Sequence, residues 1–459
     1  MSDEILIIGG GFAGLAAGVA LAQAGRRVRL LEQKPQLGGR ASSFLDPATG
    51  SMVDNGQHLF MGCYHQTIEF LKTIGTLDRV RFQPGLSVKF LESDGALSAL
   101  KCPRLPAPWH LLVGVLRSGS FKWSEKLEVL RIRAALVGSV NSPNGNLNLT
   151  VDEWLKGLGQ SETLRQNFWN LICIGAMNED PRIASAALFE RVLKLALFSS
   201  STDSRLGIAH VGLSDCYTSA AAEFITAHGG RVEPGRNVTG LLVTGGVCEG
   251  VTMAGSETIR AQTVLSAVPW NKFTSLLPGD VLRNETFFTK ILSLRPAPII
   301  SINLWFDRPV TDLEFAGLRG TTIQWLFNKS RILDEPAREY QATGGRNSES
   351  RLSYISLVLS GAHEHIGRPK EELLAMAMGE LQGLLPAARQ AKLVHSLIVK
   401  ERFATFSPCV GVEDLRPPAA TPVRGLYLAG DWTATGLPAT IEGAVKSGYT
   451  AARELLQTT

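Results

Sequence analysis

The sequence predicts an α/β fold in which the two ends of the chain close one domain while the middle makes an excursion out of it. Three observations carry that reading. A compact aliphatic run, Glu4 to Ile8, leads into Gly9-Gly10-Gly11-Phe12-Ala13-Gly14 and a helical stretch to Ala24, with Gly25 as a C-cap. A second strand, Arg27 to Leu31, ends on Glu32 and Gln33. At the far end Gly425 to Ala429 reads as a strand and Gly430-Asp431 as a turn; Ile441-Glu442-Gly443-Ala444, preceded by Thr440, opens a helix that continues toward Leu456.

Each element has a physical reason. Gly9 allows a tight turn, Gly11 lets the backbone approach a pyrophosphate, and Gly14 lets helix and strand pack closely. The helix N-terminus then faces the phosphates. Glu32 stands about 20 residues beyond the glycines, where a carboxylate accepts hydrogen bonds from a ribose. A glycine-rich turn in an unrelated α/β domain is the competing reading, and the strand, helix and acid around the motif argue against it.

Gly38-Gly39-Arg40 follows closely and resembles the GG-R extension of the flavin amine oxidase and carotenoid desaturase superfamily. That resemblance implies non-covalent FAD in a Rossmann-like domain of the glutathione-reductase/amine-oxidase type, interleaved with an α+β substrate-binding domain. It places Arg40 near the phosphates and Asp431 on the ribityl chain. The helix start at Thr440 and Ile441 points at the flavin's N1–C2=O edge, where a positive helix end favours the reduced form. A surface arginine and a plain N-cap are the competing roles of Arg40 and Asp431.

At 459 residues the chain exceeds the size at which one core stops growing, so two intertwined domains are expected. Residues 1–75, 216–290 and 400–459 are assigned to the FAD-binding domain, and 76–215 and 291–399 to the substrate domain. Gly230 to Val243 and Val247 to Met253 read as paired strands, and Gln262 to Pro269 as another. The resemblance sets Val238 and Ala267 near the adenine and pyrophosphate. No second GxGxxG occurs, so the reductant comes from an external electron donor.

Composition narrows the remaining classes. With 44% hydrophobic and 19% charged residues, the chain reads as globular. A net charge of +4 with scattered Lys and Arg gives no support to nucleic-acid binding. The six cysteines form no CxxC pair and no metal-ligand spacing, which suits a reduced, cytoplasmic compartment and no metal. The N-terminus lacks the basic and apolar regions of a secretory signal. Leu105 to Leu116 and Pro296 to Phe306 fall short of the roughly 18 residues of a membrane-spanning helix, which leaves peripheral contact with the inner face of the plasma membrane.

The resemblance sharpens at Val53-Asp54-Asn55-Gly56-Gln57-His58, at Asn178-Glu179-Asp180-Pro181 with Ala184 to Phe198, and at Leu428 to Gly448. Together these look like the bacterial hydroxysqualene dehydroxylases, also called squalene-associated FAD-dependent desaturases, over essentially the whole chain. The implied reaction removes an allylic hydroxyl from hydroxysqualene, a hydrophobic C30 isoprenoid, and gives squalene and water as a step toward hopanoids. A hydroxyl leaves only when protonated, so a general acid is needed in a dry pocket. The allylic cation then takes hydride from reduced FAD, and water must be kept away.

The candidate acids are Asp54, ranked first, His58, and Glu179 or Asp180. Asn55, Gly56 and Gln57 of the same loop are assigned to the flavin. A turn hydrogen bond competes for Asp54, a structural histidine for His58, and a helix-ending turn for Glu179-Asp180-Pro181. A carotenoid-type desaturase shares the fold and runs hydride transfer in reverse. An amine oxidase fits less well, because Phe403 and Phe406 stand where tyrosines would build an aromatic cage. A non-catalytic prenyl-protein carrier would have no need of the GG-R and GD blocks.

In the substrate half, Ala187, Phe189, Val192, Leu193, Ala196 and Leu197 mark a helix beside an apolar tunnel or in plain core. Trp109, Leu111, Leu112, Val113, Val115, Leu116, Phe121 and Trp123, interleaved with Arg117, Lys122 and Lys126, read as an interfacial patch or as a buried cap helix. Pro296 to Phe306 is expected as a central strand and Arg331 to Ser350 as an exposed loop.

Overall fold

The first strand, Ile5–Ile8, is buried along its whole length because neighbours flank it on both edges, helices cover the face of Ile5 and Ile7, and the face of Leu6 and Ile8 joins the core that holds Leu241 and Val251. In this computed structural model, which describes residues 4–138, 146–334 and 352–458, it forms the middle of a five-stranded sheet. The strand order is Arg231–Pro234, Val28–Glu32, Ile5–Ile8, Val264–Ser266 and Leu426–Leu428, and every pairing is parallel. The helix Phe12–Gln23 is buried nearly all round, which matches its uniformly apolar sequence. It packs on the C-terminal helix Ile441–Thr458 so closely that a Cβ on Gly448 would stand 2.3 Å from the Ala13 carbonyl oxygen. The ends of the chain therefore meet.

The expected strand Gly230 to Val243 is divided. Arg231–Pro234 joins the parallel sheet, while Val238–Thr244 pairs antiparallel with Val247–Met253. Gly235, at φ 76°, makes the break between them.

A seven-stranded sheet lies beyond, in the order Leu393–Phe406, Pro296–Phe306, Ser353–Ser360, Trp325–Asn328, Phe315–Leu318, Ser87–Leu91 and Leu97–Lys101. Pro296–Phe306 is an interior strand with a partner on each edge. One face of this sheet packs Ile300, Ile302 and Leu304 against Leu373, Ala377 and Leu381 of the helix Lys370–Leu384. The other face looks into a cavity, which helices close from the far side. These include Trp109–Arg117, Trp123–Gly138, Asn170–Met177 and Ala186–Leu193. The last starts on the Ser185 cap and ends in a π-helical turn, Lys194–Phe198, so the expected helix is shorter at both ends. Lys329–Ile332 is a short helical turn, and the expected loop lies outside the described residues from position 335 to Ser350.

Candidate active site

The glycine run builds a cradle by what its members lack. Gly9 sits at φ 105°, with a virtual Cβ 3.0 Å from Ala267 O; a Cβ on Gly14 would fall 2.0 Å from Gly9 O. Around Gly11 the nearest atom to such a Cβ is 3.9 Å away, so its backbone opens on the cavity at the N-terminus of Phe12–Gln23. Glu32 accepts from Gly10 N at 2.8 Å and from Lys34 N at 2.9 Å, which fixes its carboxylate beside the cradle. Gly14 packs helix on strand and does not line the cavity.

Tyr217 rivets the Gly38–Arg40 loop. Its ring stacks on Phe12 at 3.6 Å, and its hydroxyl donates to Gly38 O at 2.9 Å and Ala41 O at 3.0 Å. Arg40 crosses to the other end of the chain, donating to Asp431 Oδ1 at 2.6 Å and Ala404 O at 2.8 Å. Buried Arg416 holds the loop after Asp431 by donating to Asp431 O, Thr435 Oγ1 and Leu437 O. The C-terminal helix opens with Gly443 N donating to Thr440 Oγ1 at 3.0 Å.

One cavity of about 1170 Å³ joins these parts. Its wall includes Gly9, Gly11, Phe12, Ala13, Glu32, Gln33, Gly38, Gly39, Arg40, Asn55, Gly56, Gln57, Val238, Ala267, Gly430, Asp431, Thr440 and Ile441. It continues between the large sheet and the helices along Leu100, Val88, Phe90, Phe327, Trp325 and Val358 on one side and Leu111, Val115, Phe168, Val192 and Leu197 on the other. The first half is polar and the second is hydrocarbon. The volume exceeds the roughly 300–1,000 Å³ of an ordinary single-ligand pocket, which suits a dinucleotide together with a long apolar ligand.

The acids named from the sequence separate here. Asp54 does not line the cavity; it is buried with its oxygens 2.7 Å from Lys329 Nζ, 2.7 Å from Ser43 Oγ and 3.0 Å from Leu213 N. Burial pushes its carboxyl up, but the Lys329 ammonium and these donors outweigh that and hold it below its ordinary range. It is a carboxylate with its proton gone, so its first rank as proton donor is corrected. His58 does line the cavity, with Nδ1–H donating to Gly56 O at 2.9 Å. Burial lowers its pKa against the pull of Gly56 and Asp54, and it is a neutral imidazole near pH 7. Glu179 faces away, 2.9 Å from His363 Nε2, and Asp180 pairs with Arg182 on the surface. Neither reaches the cavity wall.

Residues 12–456 match the family described as flavin containing amine oxidoreductase. The chain belongs to that family. It is an FAD-dependent oxidoreductase, and the cradle fits the cofactor it requires. Gly11 leaves room for a pyrophosphate, the first helix presents its N-terminus, and Glu32 stands where a ribose would lie. Gln57 adds a donor: Lys329 Nζ occupies its Oε1 at 3.2 Å, which leaves its buried Nε2 with no partner among the described residues. Among relatives of this family member, the hydroxysqualene dehydroxylase of Rhodopseudomonas palustris is 30% identical over 98% of both chains. The 15-cis-phytoene desaturase of an Oncidium hybrid cultivar is 28% identical over 99% of this chain and 78% of its own. An oxidoreductase structure from Methanosarcina mazei superposes with a TM-score of 0.72 at 15% identity, covering 99% of this chain and 100% of that one, and shares the fold.

Sequence reasoning missed Lys329, Tyr217 and Arg416. Lys329 follows the apolar strand Trp325–Asn328 directly, and a lysine at the end of a buried strand was the available signal. Asn178 was noticed only as part of a motif. In the left-handed conformation, at φ 54°, it ties three elements by donating to Ala297 O and Thr405 Oγ1 and accepting from Gly361 N.

Proposed function

We propose that the chain removes the allylic hydroxyl of hydroxysqualene reductively, releasing squalene and water. The observation that carries this is the continuity of the cavity, in which one wall passes from the glycine cradle into a tunnel lined largely by hydrocarbon. The full-length likeness to the Rhodopseudomonas palustris relative supports the choice of substrate. Reduced FAD, when bound, supplies the hydride, and an external electron donor restores it. The chain's own contribution is to bind and dry the substrate. Apolar burial of a C30 chain stabilises the complex at about 25 cal/mol per Å², and exclusion of water protects an allylic cation.

The test is anaerobic incubation of the purified protein, its FAD chemically reduced, with hydroxysqualene, followed by mass spectrometry of the extracted lipid. Squalene formed in step with flavin reoxidation supports the reading. A carotenoid-type desaturase is the second reading, favoured by the phytoene desaturase relative. It gains if squalene never forms while the oxidised enzyme bleaches on a polyene precursor.

Delivery of so insoluble a substrate is part of the proposal. Among the described residues no helix is long and apolar enough to cross a membrane. The helix Trp109–Arg117 turns Leu111, Leu112 and Val115 to the cavity, while Trp109 and Leu116 are 53% and 37% exposed. Trp123 and Leu127 of the next helix are 72% and 60% exposed beside Lys122. Phe121 and Lys126 turn inward, the first against Phe168, the second donating to Leu116 O. We place this edge on the cytoplasmic leaflet of the plasma membrane, with the tunnel behind it. Trp123→Ser with Leu127→Ser should lower co-sedimentation with anionic lipid vesicles; unchanged sedimentation counts against the placement.

A further inference from the structure

We propose that Glu401 is the general acid that delivers the proton to the departing hydroxyl, an assignment that rests on the dehydroxylation reading above. Among the described residues four carboxylates line the cavity: Glu32, Glu401, Asp431 and Glu442. Three are engaged. Glu32 holds the backbone of the cradle, and Asp431 pairs with Arg40. Glu442 accepts from Gln66 N, Thr67 N and Thr67 Oγ1 at 2.7–3.0 Å and so caps the helix His65–Thr73. Glu401 accepts one long bond, from Phe403 N at 3.3 Å, and has no cation partner among the described residues.

Its place in the large sheet gives the carboxyl its direction. Glu401 lies opposite Ile299, which lies opposite Ser360, and all three line the cavity. The cavity lining of this sheet runs on from that row through Val358, Trp325 and Phe90. Between the pairs Ala297↔Thr405 and Ile299↔Glu401 one strand advances two residues and the other four, so a bulge sits at 402–404. Bulges re-aim side chains and gather beside active sites. This one also turns Ala404 O to accept from Arg40, which ties the row to the cofactor loops. Of the elements packed against Glu401, the neighbouring strands present no charge at this row. The helix Trp270–Leu276, whose Trp270 meets Phe403, brings Lys272 to the cavity wall. Arg40 is neutralised by Asp431, and neutral His58 directs its N–H to Gly56.

A C30 chain on the apolar wall covers Glu401 and keeps water from the row it shares with Ile299 and Ser360. The step then balances. The Glu401 O–H bond breaks as a new O–H bond forms on the leaving oxygen, and the C–O bond breaks with its electron pair leaving on water. A C–H bond forms with hydride drawn from the bound reduced flavin, which loses two electrons as the carbon gains them. Solvent returns the proton to Glu401.

Glu401→Gln keeps the shape and removes the proton. In pre-reduced enzyme, flavin reoxidation by hydroxysqualene should slow by about 10²- to 10⁴-fold. Reoxidation by the acetate ester of the same alcohol, whose leaving group departs without that proton, should stay within about tenfold of wild type. A second readout needs no turnover: binding of hydroxysqualene to the oxidised protein in weakly buffered solution should take up a proton in wild type and none in Glu401→Gln. Wild-type rates on the alcohol, or equal losses on alcohol and ester, overturn the assignment and leave the dehydroxylation reading standing. A wild type that holds flavin yet never reduces the alcohol overturns that reading and the assignment with it.

Discussion

The two halves of the cavity are built in opposite ways. The cofactor half is written in short runs: six residues from Gly9 to Gly14 make the cradle, and Gly38 to Arg40 the loop beside it. The chemistry there needs backbone close to phosphate, and local sequence dictates backbone. What surrounds these runs is assembled from residues far apart, such as Lys329 reaching Asp54 across 275 positions behind the Gln57 loop, Arg40 reaching Asp431 across 391, and a strand bulge that aims Glu401. A motif therefore shows where a nucleotide binds, whereas the ionisation state of a catalytic group depends on partners that only the fold supplies.

The largest effect should come from breaking the long-range half. Asp54→Ala leaves Lys329, itself 2% exposed, buried without its counter-charge, and should cost about 3–5 kcal/mol in chemical denaturation. Adding Lys329→Met should recover much of it, and a failure to recover would show that Asp54 acts otherwise than through this pair.

The local half answers differently. Gly11→Leu meets no atom nearer than 3.9 Å at Cβ, so the protein should fold, but the side chain fills the cradle. FAD affinity should fall by about 1–3 kcal/mol, as overpacking costs, which is about 5- to 150-fold in Kd by flavin fluorescence titration.

Acid should act on the long-range half as well. Burial lowers the His58 pKa from 6.5, and Lys329 with its neighbours lowers that of Asp54 from 3.8. In both cases the unfolded chain binds the proton more readily. Stability from His58 is complete above pH 6.5 and declines as pH falls through its folded value; that from Asp54 is complete above 3.8 and is lost below. Urea midpoints measured from pH 8 to pH 3 should hold down to about pH 6.5 and fall below it, with a further fall below 3.8 that the Asp54→Ala/Lys329→Met double variant should lose. The smallest effect belongs to Tyr217→Phe, which removes the hydroxyl from Gly38 O and Ala41 O and should cost about 1 kcal/mol. The stacking on Phe12 survives the change.

Much of the fold was legible, for the same reason as the cradle. Pro296 to Phe306 is an apolar run interrupted only by Ser301 and Asn303, and it forms the interior strand Pro296–Phe306. Gly230 to Val243 was misread as one strand because its apolar residues hide the turn at Gly235. Asp54 looked like an acid because its loop resembles a flavin-facing one, yet nothing nearby in sequence announces Lys329. Glu401 sits in a strand of mixed polarity, and its direction depends on pairing with Ile299 a hundred residues away.

The most direct measurement is an anaerobic stopped-flow mixing of flavin-reduced protein with hydroxysqualene, following the return of oxidised flavin absorbance and quenching samples for squalene. One squalene formed per flavin reoxidised, at a common rate, is the predicted result. Flavin that stays reduced while the alcohol is recovered intact would contradict it.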